Sequence, residues 1–479
     1  MSLPTWLSTK LRAPATAASL VAIAVVGVLA DQVLRVGAFG LGTTFTIVCT
    51  AGALLWIGGL ARWEARAACL IAVLFALWLT LRASPWLVWP DVIASIGLLM
   101  VAASLASRGS LMDLGAAEAA ARTIHGLLHL ALGVGFALQP LRGTRARLAI
   151  TWPVIRGLLI AVPIVALLTG LLASADPVFA SFFRINLDVG QLILDILFFL
   201  FGAIAMAGVL RIAAAEAVSR VDAPPWRLGL TEALVVVAAL DIVFAMFATA
   251  QVVAVSSAGR QTLMQAGLTY AEYARSGFFQ LLWVAGITLA LLVVFSRITA
   301  FDRGRGRLAF RSLAGVAIAL TLLIAYVASR RLSLYEEAYG FTMLRLYSHI
   351  FALWGAVVFI LLAAEIAGLW SGRRWFVGAT GATALVVILA LNVVNPEALV
   401  VDLNTARAAS TYKLDTDYLA TLSSDATPAL ASARQRVPVQ LSGNVARAMC
   451  SGSRSYTPAW VAINVADAAA ASTRTTVGC

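Results

Sequence analysis

The chain has 479 residues, of which 61% are hydrophobic and 12% charged, against about 25% charged in soluble domains. That balance excludes a soluble globular protein and fits an integral membrane protein. The formal charge of +12 does not make a nucleic-acid binder, because the arginines sit in short clusters between apolar runs rather than in one patch interleaved with aromatics.

A helix needs about 20 apolar residues to cross the hydrocarbon core. Runs of that kind fall at 17–36, 39–60, 67–82, 86–106, 123–141, 152–173, 190–213, 229–254, 276–297, 308–329, 343–368 and 375–394. The segment Met1 to Ala13 carries Lys10 and Arg12 and leads into the first run without a small-residue cleavage site. That run therefore reads as a span and not as a removed signal peptide. Two runs are weaker. The one at 67–82 is short, and 123–141 contains His125, His129 and several glycines, which suits a tilted or re-entrant segment.

Arginine and lysine in short loops mark the cytoplasmic side. One set of loops carries Arg142, Arg145, Arg147 and Arg156, then Arg211, Arg220 and Arg227, then Arg297, Arg303, Arg305, Arg307 and Arg311, then Arg373 and Arg374, fourteen in all. The alternate loops carry six: Arg184, Arg260, Arg275, Arg330, Arg331 and Arg345. The first set is expected in the cytoplasm, with the loop at 330–342 and the chain after Asn395 outside. Lys10, Arg12, Arg62 and Arg66 also favour the inside, yet three runs separate Arg66 from Arg142. One early run is therefore expected not to cross, which leaves eleven or twelve crossings.

The expected fold is an all-α, polytopic transmembrane helix bundle over 1–394, with a small helical extramembrane tail over 395–479. Within the tail, helices are expected from Pro396 to Ala409, from Asp415 to Leu422, and after Asp425, whose carboxylate can cap the turn containing Pro428. About eighty residues make a small core, so the tail is expected to dock on the membrane part or on a partner. Cys450 and Cys479 both lie in it and can pair if the compartment is oxidising. Cys49 and Cys69 lie in apolar runs, where a thiol is usually a small core residue.

Five ordered segments carry a family resemblance: Ala175-Asp-Pro-Val-Phe179, Tyr270-Ala-Glu-Tyr-Ala-Arg-Ser-Gly-Phe-Phe279, Leu334-Tyr-Glu-Glu-Ala-Tyr-Gly-Phe-Thr-Met-Leu-Arg-Leu-Tyr347, Asn395-Pro-Glu-Ala398 and Leu414-Asp-Thr-Asp-Tyr-Leu-Ala-Thr-Leu-Ser-Ser-Asp-Ala-Thr-Pro-Ala-Leu430. Over residues 150–435 the chain resembles the bacterial membrane-protein family numbered as domain of unknown function 4173. The resemblance implies fold and topology (150–394 being the family-like membrane part) and no particular activity. Where that family suggests a basic residue after Asn395, this chain has Leu399-Val-Val-Asp402.

Charged and aromatic residues concentrate between Arg330 and Trp354. Thr342, Arg345 and His349 share a helical face, with Glu336 and Glu337 as counter-charges above them. Arg331, Tyr335 and Tyr339 belong to the same stretch, and Asp176, Tyr270, Glu272 and Arg275 lie in other outward loops that could converge with it. Together they define a candidate outer-face pocket in which Arg345 would be held by a carboxylate. The plainer reading is an arginine that snorkels to headgroups among interfacial tyrosines. Asp241 is the deepest acid, and Asp195 and Glu365 lie nearer span ends. Such acids face other helices, as a relay or as buried hydrogen-bonding groups. Three histidines and no metal-ligand motif leave no metal or other cofactor expected, and no nucleophile or P-loop signature is present.

Three functions remain open, with catalysis the less favoured. The first is a non-catalytic plasma-membrane protein whose outward pocket and tail bind an envelope protein or a lipid or glycan ligand. The second is a secondary transporter using the intramembrane acids, and the third an outer-leaflet enzyme acting on lipid or glycan. No nucleic-acid partner is expected beside the lipid bilayer.

Overall fold

The computed structural model describes residues 8–106, 110, 114–142, 157, 161, 164–165, 168, 171–172, 189–216, 227–255, 278–301, 304–370, 374–451 and 459–479. Among the described residues the fold is an all-α polytopic bundle with no β-strand. Nine of its helices are long and apolar enough to cross a membrane, and Leu41–Ile57 is a shorter apolar helix beside them. The run expected at 152–173 falls mostly outside the described residues.

Among the described residues two large apolar clusters make most of the bundle. The first joins the helices Ala17–Val36, Leu41–Ile57, Trp63–Leu81, Pro85–Ser104 and Val189–Ala214 around Leu54, Phe75, Leu79 and Met206. The second joins Leu230–Val255, Phe278–Ile298, Arg305–Tyr339 and Met343–Ala367 around Val237, Leu292, Phe310 and Leu362. Helix Phe376–Val394 packs Leu385, Ile388 and Leu389 on the first and Phe376 on the second, and so bridges them.

One end of the bundle gathers arginines. The Arg12 guanidinium donates to the carbonyls of Gly58 and Ala213, at 3.3 and 3.0 Å. Arg211 donates to the Thr9 carbonyl at 3.1 Å, and Arg122 to that of Ser104 at 3.0 Å. Arg297 pairs with Glu365 at 2.7 Å. The segment at 123–141 folds as Ala116–Ala131, Gly133–Ala137 and Gln139–Arg142. Arg122 ties its start to Ser104, while near its end Gln139 accepts a hydrogen bond from the Ala15 amide at 3.1 Å. Ser104 and Ala15 both belong to the arginine end, so this segment enters and leaves by the same end. Trp63–Leu81 runs the full length, from Arg66 at the arginine end to Arg82 at the other. The early run that does not traverse the bundle is therefore 123–141, and Arg66 and Arg142 sit at the same end.

The stretch 330–342, expected as a loop, is mostly helix. Arg305–Tyr339 runs unbroken for 35 residues. At 1.5 Å per residue it is about 52 Å long, roughly 20 Å more than the hydrocarbon core. A helix of that length can carry its charged ends beyond the apolar layer, where charge costs less. Gly340 ends it at φ +85°, where an added Cβ would lie 2.7 Å from Asn404 Oδ1, so both the backbone and the space call for glycine.

The tail occupies the opposite end. Asn395 sits at φ 57°, closing one helix through its amide to the Leu391 carbonyl and opening Pro396–Thr411 by accepting from the Ala398 amide. Thr416–Ala420, Thr427–Arg436 and Val439–Ser451 then pack around Val401, Leu419, Leu430 and Met449. A disulfide joins Cys450 to Cys479, holding the last helix, Val465–Val477, against them. The turn Trp460–Ala462 presses on the start of Leu41–Ile57, with the Leu41 amide donating to the Ile463 carbonyl at 3.0 Å.

Candidate functional site

Three segments far apart in sequence meet where the tail joins the bundle. The first is the corner between Trp63–Leu81 and Pro85–Ser104. Pro85 begins the second of these helices with no N–H to satisfy, and Ser84 before it is extended, at φ −63° and ψ 124°. The Ser84 side chain does not cap its own helix. Its hydroxyl donates instead to Glu397 Oε1 at 2.6 Å.

The carboxylate of Asp425 takes over the capping. Its Oδ2 accepts from the amides of Ala83 and Ser84, at 2.7 and 2.6 Å, where the helix dipole favours an anion. Arg82 lies 3.4 Å from Oδ1 and also donates twice to the Asn392 carbonyl, at 3.0 and 2.6 Å. Asp425 was expected to cap the helix containing Pro428. That helix, Thr427–Arg436, has no side-chain cap, because the carboxylate turns away from it toward the bundle. Glu397 is equally committed, its Oε2 accepting from the Ser423 amide and hydroxyl at 2.8 and 2.7 Å.

Burial pushes both acids up from their ordinary values, and the charge of Asp425 adds to the effect at Glu397. The hydroxyls of Ser84 and Ser423 oppose it at Glu397, and the amides of Ala83 and Ser84 with Arg82 oppose it at Asp425. Deeper in the bundle, Asn392 donates to Asp91 Oδ1 at 2.7 Å, and Asn464 donates to the carbonyls of Leu79 and Arg82 at 3.1 and 2.8 Å. The tail is thus fixed by polar groups that satisfy helix ends.

Beside this junction is a cavity of about 410 Å³, lined among others by Trp86, Thr342, Glu397, Tyr418, Thr421 and Ser423. The Tyr418 hydroxyl accepts from the Met343 amide at 2.7 Å. Tyr347 stacks on Trp86 with ring centroids 5.0 Å apart. Of the residues expected at an outer-face pocket, Thr342 lines this cavity and also caps its own helix by accepting from the Arg345 amide.

The other described residues of that set do not line it. Arg345 hydrogen-bonds the Gly340 carbonyl and stands over the Tyr335 ring, 4.3 Å from its centroid. Among the described residues no carboxylate pairs with it. Glu336, expected as its counter-charge, instead lies 2.9 Å from His349 Nε2. Tyr335 and Tyr339 stack at 4.8 Å, and Arg331 donates to Gln251 at 2.6 Å. Asp176, Tyr270, Glu272 and Arg275 lie outside the described residues.

The intramembrane acids are separate from one another. Asp195 is 2.8 Å from Arg35, Glu365 pairs with Arg297 at the arginine end, and Asp241 is buried midway along Leu230–Val255, with no hydrogen-bond partner for either oxygen among the described residues. His125 and His129 stack at 4.3 Å, and among the described residues no group of three or more histidines, cysteines or acids could hold a metal.

Sequence reasoning passed over Arg82, Ser84, Asp91, Asn392 and Glu397. The signal for Glu397 was in hand, in the segment Asn395 to Ala398. Nothing local marked Arg82 and Ser84, which look like an ordinary span end.

No curated protein and no solved structure matches the chain. A family model described as domain of unknown function (DUF4153) matches residues 67–433. The family number differs from the expected 4173, and the match starts inside Trp63–Leu81 rather than near 150. It therefore takes in both halves of the junction, from Arg82 and Ser84 to Glu397 and Asp425. The matched segment is well over half of the sequence, and the chain belongs to the DUF4153 family of proteins of unknown function.

Proposed function

We propose that this chain is a multi-pass plasma-membrane protein, not an enzyme, whose tail faces outward and whose junction cavity binds a glycan-like component of the cell envelope. The observation that carries the reading is one cavity lined jointly by the corner at Pro85 and Trp86, the turn at 342–344 and the tail at 397–423. Its volume lies in the range of small-molecule sites, about 300–1,000 Å³. Trp86 offers a ring to stack on sugar carbons, and Thr342, Thr421 and Ser423 offer hydroxyl oxygens. Glu397 already accepts three hydrogen bonds, so it shapes the wall more than it presents charge. The outward tail rests on the fourteen-to-six arginine asymmetry. The test is calorimetric titration of the purified protein with soluble peptidoglycan fragments. Saturable binding that Trp86→Ala weakens about tenfold, or ~1.4 kcal/mol, supports it, provided the tail variant Asp402→Asn, outside the cavity lining, binds normally. No saturable binding by the native chain rejects it.

Asp241 favours a second reading, a secondary transporter. A carboxylate in mid-span costs about 2.5–3.5 kcal/mol on insertion scales, and among the described residues neither oxygen is offset by a hydrogen bond. Proton flux into vesicles that Asp241→Asn abolishes at normal abundance would select this reading. Normal abundance with no flux in either protein would leave the acid a buried helix-packing group.

A further inference from the structure

Away from the junction, a groove of about 420 Å³ lies between Ala17–Val36 and Val189–Ala214, lined by Val28, Asp31, Asp195, Ile196, Phe199 and Leu200. The helices are antiparallel here, so the polar and apolar linings separate along the groove. Asp31 lies five residues before the end of its helix and Asp195 six residues after the start of the other, both within about 7–9 Å of the tail end at 1.5 Å per residue. Val28, Phe199 and Leu200 lie deeper, and Val28, Ile196 and Leu200 are exposed on what becomes the lipid side. The order from the bundle end inward is charge and then hydrocarbon, which is the order of a phospholipid.

The charges are specific. Arg35 Nη2 lies 2.8 Å from Asp31 Oδ2 and 2.8 Å from Asp195 Oδ1, so among the described residues two acids share one guanidinium and one negative charge is left over. Gln32 donates to the same Asp31 Oδ2 at 3.1 Å. Among the described residues Asp31 Oδ1 has no hydrogen-bond partner, on a residue only 8% exposed. An uncompensated carboxylate near hydrocarbon calls for a cation with hydrogen-bond donors. Both acid contacts of Arg35 use Nη2, which leaves the donors of Nε and Nη1 for an anion.

We infer that this groove binds one phospholipid with an ethanolamine headgroup, its ammonium against Asp31 and Asp195, its phosphate against Arg35 and an acyl chain along Val28, Phe199 and Leu200. A choline headgroup has no N–H for Asp31, and a glycerol headgroup has no cation. The inference does not depend on the glycan reading, since the groove and the junction cavity share no residue.

The test is native mass spectrometry of the full chain released from vesicles of equal parts phosphatidylethanolamine, phosphatidylcholine and phosphatidylglycerol. The expected result is retention of the ethanolamine lipid over the choline lipid by about tenfold, with Asp31→Asn and Asp195→Asn each bringing the ratio toward one. Equal retention by the native chain, preference for the glycerol lipid, or a preference untouched in both variants overturns the inference. Thermal unfolding of the native chain in discs of each lipid needs no variant. A higher Tm with the ethanolamine lipid is expected, and equal Tm in all three overturns it.

Discussion

Asp425 holds the start of a helix whose N-cap residue, Ser84, lies 341 residues before it, its Oδ2 accepting the Ser84 amide at 2.6 Å. The contact closes the tail onto the bundle and explains why Arg82 sits at the same corner. With a side chain 1% exposed, the Asp425 carboxylate depends on those donors.

Removing Arg82 should therefore cost more than a surface charge. Arg82→Ala leaves Asp425 buried beside two amides but without its cation, and breaking a buried pair costs about 3–5 kcal/mol. Thermal unfolding in detergent should show that loss, and limited proteolysis should release the tail first. Tail cleavage at the native rate would place the docking energy elsewhere.

Junction stability should depend on pH through Glu397. Its carboxyl is raised above the ordinary value, by burial first and then by Asp425. The folded state therefore holds a proton over a window in which the unfolded chain has lost it. The contribution is fully present below the unfolded value and is lost as pH rises through the folded one. Hydrogen exchange at the Ser423 amide, which donates to Glu397, should slow from neutral toward mildly acid pH after correction for intrinsic rates. Glu397→Gln, which cannot ionise, should flatten that dependence.

Arg345→Lys should be mild. An arginine that reads a carboxylate through both arms does not tolerate lysine, but here the partners are the Gly340 carbonyl and the Tyr335 ring. An ammonium can keep one hydrogen bond and a cation–π contact worth about 0.5–1 kcal/mol. Unfolding temperature should move little for Arg345→Lys and more for Arg345→Ala. Equal losses would mean that the planar guanidinium itself is needed.

The disulfide gives a test of sidedness and of tail stability together. Closing a chain separation of 29 residues is worth about 3.5 kcal/mol in the chain-entropy model, so Cys450→Ser should loosen Val465–Val477 by that order. On intact cells, a membrane-impermeant maleimide applied after reduction should label Cys450 and Cys479. Labelling only after permeabilisation would put the tail inside.

Much of the fold was legible because it is written locally. The apolar runs, the glycine at 340 and the proline after Asn395 each depend on a helix length or a backbone angle. The sequence by itself therefore determined an all-α membrane bundle and a helical tail. It also carried the parity conflict between Arg66 and Arg142, without the means to say which run failed to traverse.

Only the tertiary structure decided that 123–141 turns back at the arginine end, that Asp425 reaches Ser84 and not its own helix, and that Glu336 pairs with His349 while Arg345 takes a carbonyl and a ring. These are choices among partners separated by 5 to 341 residues. Helical periodicity fixes which side chains share a face, but not which distant helix end a carboxylate will meet. That choice depends on how whole helices pack and on which buried amide would otherwise stay unpaired.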